Sequence, residues 1–153
     1  MKKIITIVVL ASAIFLLAGC EKKENSKKSL IPHSEKEVKE IIDNNKDYYI
    51  VETNKADKEV YSAMINDFDG RYFKFFVLKD NESALNFFKY YTNVFKSYKI
   101  DSDTENVVEN KSYELIKSDK YYYVKLDNNS IVVVDCKLED RDATMKMVKF
   151  IKY

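Results

Sequence analysis

The chain predicts an α+β domain with a largely antiparallel sheet, a C-terminal three-strand meander and helices mainly on one face. Two observations carry this. Amphipathic segments with N-terminal capping residues begin at Ser34 and at Asp80 or Asn81. Three apolar runs, Tyr113–Lys117, Tyr121–Leu126 and Ile131–Lys137, are separated only by Ser118-Asp119 and Asp127-Asn128-Asn129. Such links are too short for parallel crossovers, so the three strands must run antiparallel.

The elements follow in order. Ser34-Glu35-Lys36-Glu37 forms a capping box, and Val38, Ile41 and Ile42 give the first helix one apolar stripe as far as about Asn45. Tyr48–Glu52 is dense in aromatic and β-branched residues and reads as a strand. From Asn54 to Ile65 two readings stand. Ala56, Val60 and Met64 fit a helix, and Ser62–Ile65 equally starts a strand. Asp69-Gly70 marks a turn before the strand Arg71–Leu78. The helix Ser83–Tyr98 places Ala84, Phe87, Phe88, Tyr91, Val94, Phe95 and Tyr98 on a broad apolar face. Asp101–Asn110 reads as a polar loop, and the last helix starts at Asp140 with Met145, Val148 and Ile151 inward. With helices on one face, Tyr122, Val124 and Leu126 point to the core, while Tyr121, Tyr123 and Lys125 face water.

The N-terminus carries an address. Lys2 and Lys3 precede an apolar run from Ile4 to Leu17, which ends in Leu17-Ala18-Gly19-Cys20. Ile4 to Cys20 is shorter than the roughly 20 residues of a membrane span, and Glu21-Lys22-Lys23 stops it. Leu17-Ala18-Gly19-Cys20 resembles the lipobox of bacterial lipoproteins. The resemblance implies a leader at 1–19 that is removed, and a diacylglyceryl group on the sulfur of Cys20. It places the remainder on the outer side of the cytoplasmic membrane. Residues 20–33 then form the lipidated cysteine and a polar tether, and 34–153 a single domain. Two acyl chains hold firmly where one holds only marginally. The order of elements also resembles small Gram-positive lipoproteins with an aromatic strand–helix unit, a meander and a C-terminal helix, a group that brings no activity to transfer.

Composition removes several function classes. Taking Lys2 and Lys3 from the 26 basic residues leaves 24 against 25 acidic, without the basic excess that nucleic-acid binding requires. His33 is the only histidine and lies in the tether, so Ser-His-Asp and Cys-His catalysis and histidine zinc sites are not expected. The two glycines, Gly19 and Gly70, provide no phosphate-binding loop. With Cys20 lipidated, Cys136 has no internal disulfide partner and reads as a small core hydrophobe beside Val132 and Val134. Asp101-Ser102-Asp103-Thr104-Glu105 resembles the start of a calcium loop, but Asn106 and Ser112 stand where glycine and glutamate are needed. Neither a metal nor another cofactor is expected.

Tyrosine is the positive signal, at 12 residues. Tyr121, Tyr123 and Tyr90, which leaves the main stripe of its helix, are the candidate interaction surface, because exposed tyrosines combine rigid area with a polar tip. The leading expectation is a membrane-tethered, non-enzymatic binding module for a protein or envelope-polymer partner. The alternatives are a small hydrolase acting through paired carboxylates such as Asp67 with Asp69 or Asp140 with Asp142, and an inhibitor or immunity lipoprotein. A carboxylate pair in a deep cleft favours the hydrolase, and a flat apolar patch favours the binding readings.

Overall fold

A computed structural model describes residues 34–54 and 61–153. The leader, the lipobox with Cys20, the tether and the helical reading of Ala56 and Val60 lie outside the described residues. The elements are α1 (Glu35–Asp43), β1 (Tyr48–Asn54), β2 (Tyr61–Asp67), β3 (Tyr72–Val77), α2 (Asn81–Tyr98), β4 (Thr104–Val108), β5 (Ser112–Lys117), β6 (Lys120–Asp127), β7 (Ser130–Lys137), a 3-10 turn (Leu138–Asp140) and α3 (Arg141–Phe150). The seven strands form one sheet in the order β1-β2-β3-β7-β6-β5-β4, and every neighbouring pair is antiparallel.

Local chemistry starts each helix. The Ser34 hydroxyl accepts from the Glu37 amide at 3.2 Å, and the Asp80 carboxylate accepts from the Ser83 amide at 2.7 Å. Both cap residues are extended, as an N-cap must be. Between β2 and β3 the chain turns through Gly70 at φ +84°, a conformation that glycine adopts without steric cost. The ambiguous stretch is a strand from Tyr61 onward. Thr104–Val108, expected to be loop, pairs with β5 from Thr104↔Ile116 to Val108↔Ser112 and forms a sheet edge. Free strand-pairing groups on β5 outweigh the low β-propensity of Glu105 and Asn106.

The helices divide between the two faces of the sheet, which corrects the expectation that they lie mainly on one. On the first face, Val38 and Ile42 of α1 and Met147 and Val148 of α3, with Ile151 beyond it, pack on Ile65, Phe73, Phe75, Tyr121, Val132 and Val134. On the second, Ala84, Phe88 and Phe95 of α2 pack on Phe76, Tyr113, Leu115, Val124, Ile131 and Val133. Successive residues therefore bury in opposite directions, and Ser130–Val134 is buried without a break. At the C-terminus Tyr153 meets Phe75 edge-on at 5.9 Å, and its hydroxyl hydrogen-bonds Ser130.

Candidate interaction surface

Two-sided burial relocates the tyrosines. Tyr121 is only 1 % exposed, beneath α3. Glu114 and the Arg141 guanidinium, which lies 4.9 Å from the ring centroid, stand beside it, and burial, with Glu114, pushes its phenol up. The Arg141 Nη2 is 3.0 Å from the Glu114 carboxylate. Tyr123 lies half-buried and parallel to Tyr121, with centroids 6.4 Å apart. Tyr122 faces the other way, toward Phe95 and Tyr98 at 5.1 and 5.3 Å. The expected exposure of Tyr121 is overturned because α3 covers the face that was taken as wet. Tyr90 stands on the outer side of α2, 60 % exposed.

An aromatic surface does exist, but on other strands. On the second face α2 packs against β5, β6 and β7 and reaches Phe76 of β3, and β1, β2 and the start of β3 extend beyond it. The register lines up Tyr49, Asn66 and Tyr72 in one row, and Val51, Met64 and Lys74 in the next. Tyr49, Val51 and Tyr72 are each about two-fifths exposed. With strands about 4.8 Å apart, Tyr49 and Tyr72 stand about 10 Å from one another with Asn66 sunk between them. At the foot of the rows, in the β2–β3 turn, Phe68 is 75 % exposed and its ring lies 5.4 Å from that of Tyr49. At the head, Phe76 meets Phe87 at 4.9 Å and Tyr91 at 6.1 Å, and Tyr90 continues the cluster 5.4 Å from Tyr91. Aromatic side chains thus run from the turn across three strands to the flank of α2, with Lys74 the only charge in the two rows.

The sequence reading missed Tyr49, Val51, Phe68 and Tyr72. One signal was available: Phe68 is a large apolar residue between Asp67 and Asp69 in a turn, where nothing folds over it.

Of the carboxylate pairs, Asp67 with Asp69 is engaged by Arg71. The Asp67 Oδ1 accepts from the amides of Asp69 and Arg71 at 3.0 and 2.9 Å, and Oδ2 from Arg71 Nε at 2.6 Å. Burial pushes the Asp67 carboxyl up, but the Arg71 side chain and amide outweigh it and hold the group below its ordinary range. Arg71 also binds Asp69. The pair borders a cleft of about 310 Å³ with Tyr48 and Met147, yet a carboxylate engaged at both oxygens and held ionised is ill-suited to deliver a proton. Asp140 and Asp142 stand at the start of α3, where Asp140 makes no side-chain capping bond. In the acidic stretch Asp103 accepts from the Ile100 amide at 2.8 Å, and Glu105 pairs with Lys99. Among the described residues no group of three or more His, Cys, Asp or Glu is placed to hold a metal ion. Cys136 is half-buried, and burial pushes its thiol up, away from the reactive thiolate.

No protein-family model, curated protein or solved structure matches this chain.

Proposed function

We propose that the chain is a membrane-tethered, extracytoplasmic binding module that docks a protein partner on the open half of its sheet. One observation carries the reading: the aromatic rows of β1–β3, with Phe68 and the Tyr90 flank of α2, gather exposed aromatic and apolar side chains on the half of the second face that α2 leaves open. Apolar surface gathered in one place marks interaction sites, whereas scattered apolar residues do not. Tyrosines suit such a surface because they carry large contact area on few rotatable bonds. In this reading Cys20 bears the diacylglyceryl anchor, and the thirteen residues Glu21–His33 span at most about 45 Å. Confinement to that height above the membrane raises the local concentration of any membrane-borne partner. The role is binding, with no catalytic residues assigned.

Photo-crosslinking tests this in cells. A benzophenone amino acid replaces Tyr49 or Tyr72 in the full chain, and a control carries it at the exposed Lys149 on α3. Discrete adducts from the first two positions and none from Lys149 support the reading. Adducts from Lys149 alone move the interface to α3 and refute it.

A further inference from the structure

We propose that the edge strand β1 pairs with β1 of a second copy of this chain, joining two seven-stranded sheets through a two-fold axis at Ile50. β1 and β4 are the two edges of the sheet. Edge strands are ordinarily guarded by a charge, a proline or a bulge. β4 carries Glu105 near its start, paired with Lys99. β1 opens with Tyr48-Tyr49-Ile50-Val51, without a charge or a proline, and its register shift against β2 comes only after Glu52. The Asp67 amide donates to the Arg71 carbonyl at 3.0 Å, so the backbone of Asp67 faces β3. Backbone groups alternate sides along an antiparallel strand. Asn66 and Met64 therefore turn theirs to β1, where they meet Tyr49 and Val51. Tyr48 and Ile50 are left with amide and carbonyl directed at the open edge.

Charge and register select a second copy as the occupant. The regular stretch Tyr48–Glu52 has Ile50 at its centre. Antiparallel pairing about that residue sets Ile50 against the partner's Ile50, Tyr49 against the partner's Val51, and Glu52 against the partner's Tyr48. No acid then faces an acid, whereas pairing centred on Glu52 would oppose two carboxylates. A groove of about 490 Å³ lies beside the strand, lined by Lys39 and Asp43 of α1 and by Tyr48, Tyr49 and Ile50. Consecutive strand residues point to opposite faces, so a groove that touches all three opens along the edge. Lys39 binds Glu52 at one end of β1, and Asp43 leads into Tyr48 at the other. The two-fold axis sets one groove against the other in reverse, which brings Lys39 toward the partner's Asp43, twice. Lys39 places two of its three ammonium hydrogens on Glu35 and Glu52. Asp43 forms no ion pair among the described residues. The contact is isologous and closes at two copies. Its axis is normal to the joined sheet, so both α1 helices lie on one face. Both chains enter their domains on that face, at Ser34, and on the tethered reading two anchors then reach the same membrane.

Disulfide trapping in membranes tests this with the full chain. Two differently tagged chains, both Cys136→Ala, are produced together, one with Tyr49→Cys and the other with Val51→Cys. In the proposed register these positions oppose each other as a non-hydrogen-bonded pair, with Cα atoms about 4.5 Å apart, within disulfide reach. Oxidation should yield the mixed dimer about tenfold above the dimer formed by two Tyr72→Cys chains, whose cysteines lie on β3. Asp43→Lys in both chains sets lysine against Lys39 and should lower the mixed dimer about tenfold. Asp43 is exposed, so this variant should stay folded, as its melt would show. A mixed dimer no more abundant than the Tyr72→Cys dimer overturns the proposal. So does an undiminished yield from folded Asp43→Lys chains, and so does a different protein trapped at Tyr49→Cys in place of the second copy. A crosslink from Tyr72 to a foreign partner does not depend on this edge, so the open-face reading and the paired edge can fail separately.

Discussion

Replacing Tyr121 with alanine should destabilise the fold by about 4 kcal/mol. The ring is 1 % exposed and lies between β6 and Arg141 at the start of α3. A buried tyrosine withdraws about 150–250 Å² from water, which at about 25 cal/mol per Å² corresponds to about 4–6 kcal/mol as an upper bound. Measured truncations of large buried aromatics cost about 3–5 kcal/mol. The hydroxyl adds its own share, since it lies beside Glu114 and Arg141 in a cluster where Arg141 Nε has no hydrogen-bond partner. Tyr121→Phe isolates that share and should cost about 1 kcal/mol. For a domain of this size each kcal/mol lowers the melting temperature by about 3–5 °C. Thermal melts followed by circular dichroism should therefore place Tyr121→Ala about 12–20 °C below wild type, with Tyr121→Phe close to wild type. A Tyr121→Ala melt within about 2 °C of wild type would refute two-sided burial, because on a sheet with one wet face this ring costs almost nothing to remove.

Three further outcomes follow from the same structure. Asp67→Asn should cost about 1.5–3 kcal/mol, the worth of hydrogen bonds to a charged group. The folded Asp67 carboxyl sits below its unfolded range, so its contribution is present above about pH 4 and fades as pH falls through the folded value. Urea melts of wild type and variant should accordingly converge near pH 2, and a constant gap would exclude the Arg71 pairing as the cause. At the alkaline end, burial pushes the Tyr123 phenol up to about 12. The folded state then holds a proton that the unfolded state releases near pH 10, so stability falls between pH 10 and 12. Tyrosinate absorbance should rise in a step coincident with unfolding, and a smooth titration of every tyrosine with the fold intact would contradict this. Cys20→Ser should accumulate unprocessed chain that incorporates no alkyne fatty acid, because a hydroxyl cannot form the thioether; label persisting in the variant would remove the membrane address.

Local signals in the sequence were sufficient for the helix starts and for most strands. Ser34 and Asp80 cap as their side chains dictate, and Gly70 turns the chain where the aspartates around it suggest. What failed was decided by pairing and covering. β4 is a strand only because β5 offers it free hydrogen-bonding groups, which Thr104–Val108 cannot show by itself. The division of helices was visible in principle: Phe75-Phe76 and Ile131-Val132-Val133-Val134 are continuous apolar runs, the mark of strands buried on both sides. Reading β6 and β7 as alternating instead put Tyr121 in water and drew the candidate surface onto a strand face that α3 covers. The open rows on β1–β3 depend on α2 stopping short of Tyr49 and Tyr72, and a helix's lateral position is set by packing that no single segment encodes.

The claim that the open half of the sheet docks a partner is tested most directly by capture from membranes with the anchored, tagged chain, wild type against Tyr49→Ser with Phe68→Ser and Tyr72→Ser. All three side chains are substantially exposed, so the triple variant should still melt cooperatively and reach the membrane. The account predicts a protein that co-purifies with wild type and falls at least tenfold with the triple variant. The same protein recovered at the same yield with a folded triple variant would contradict it.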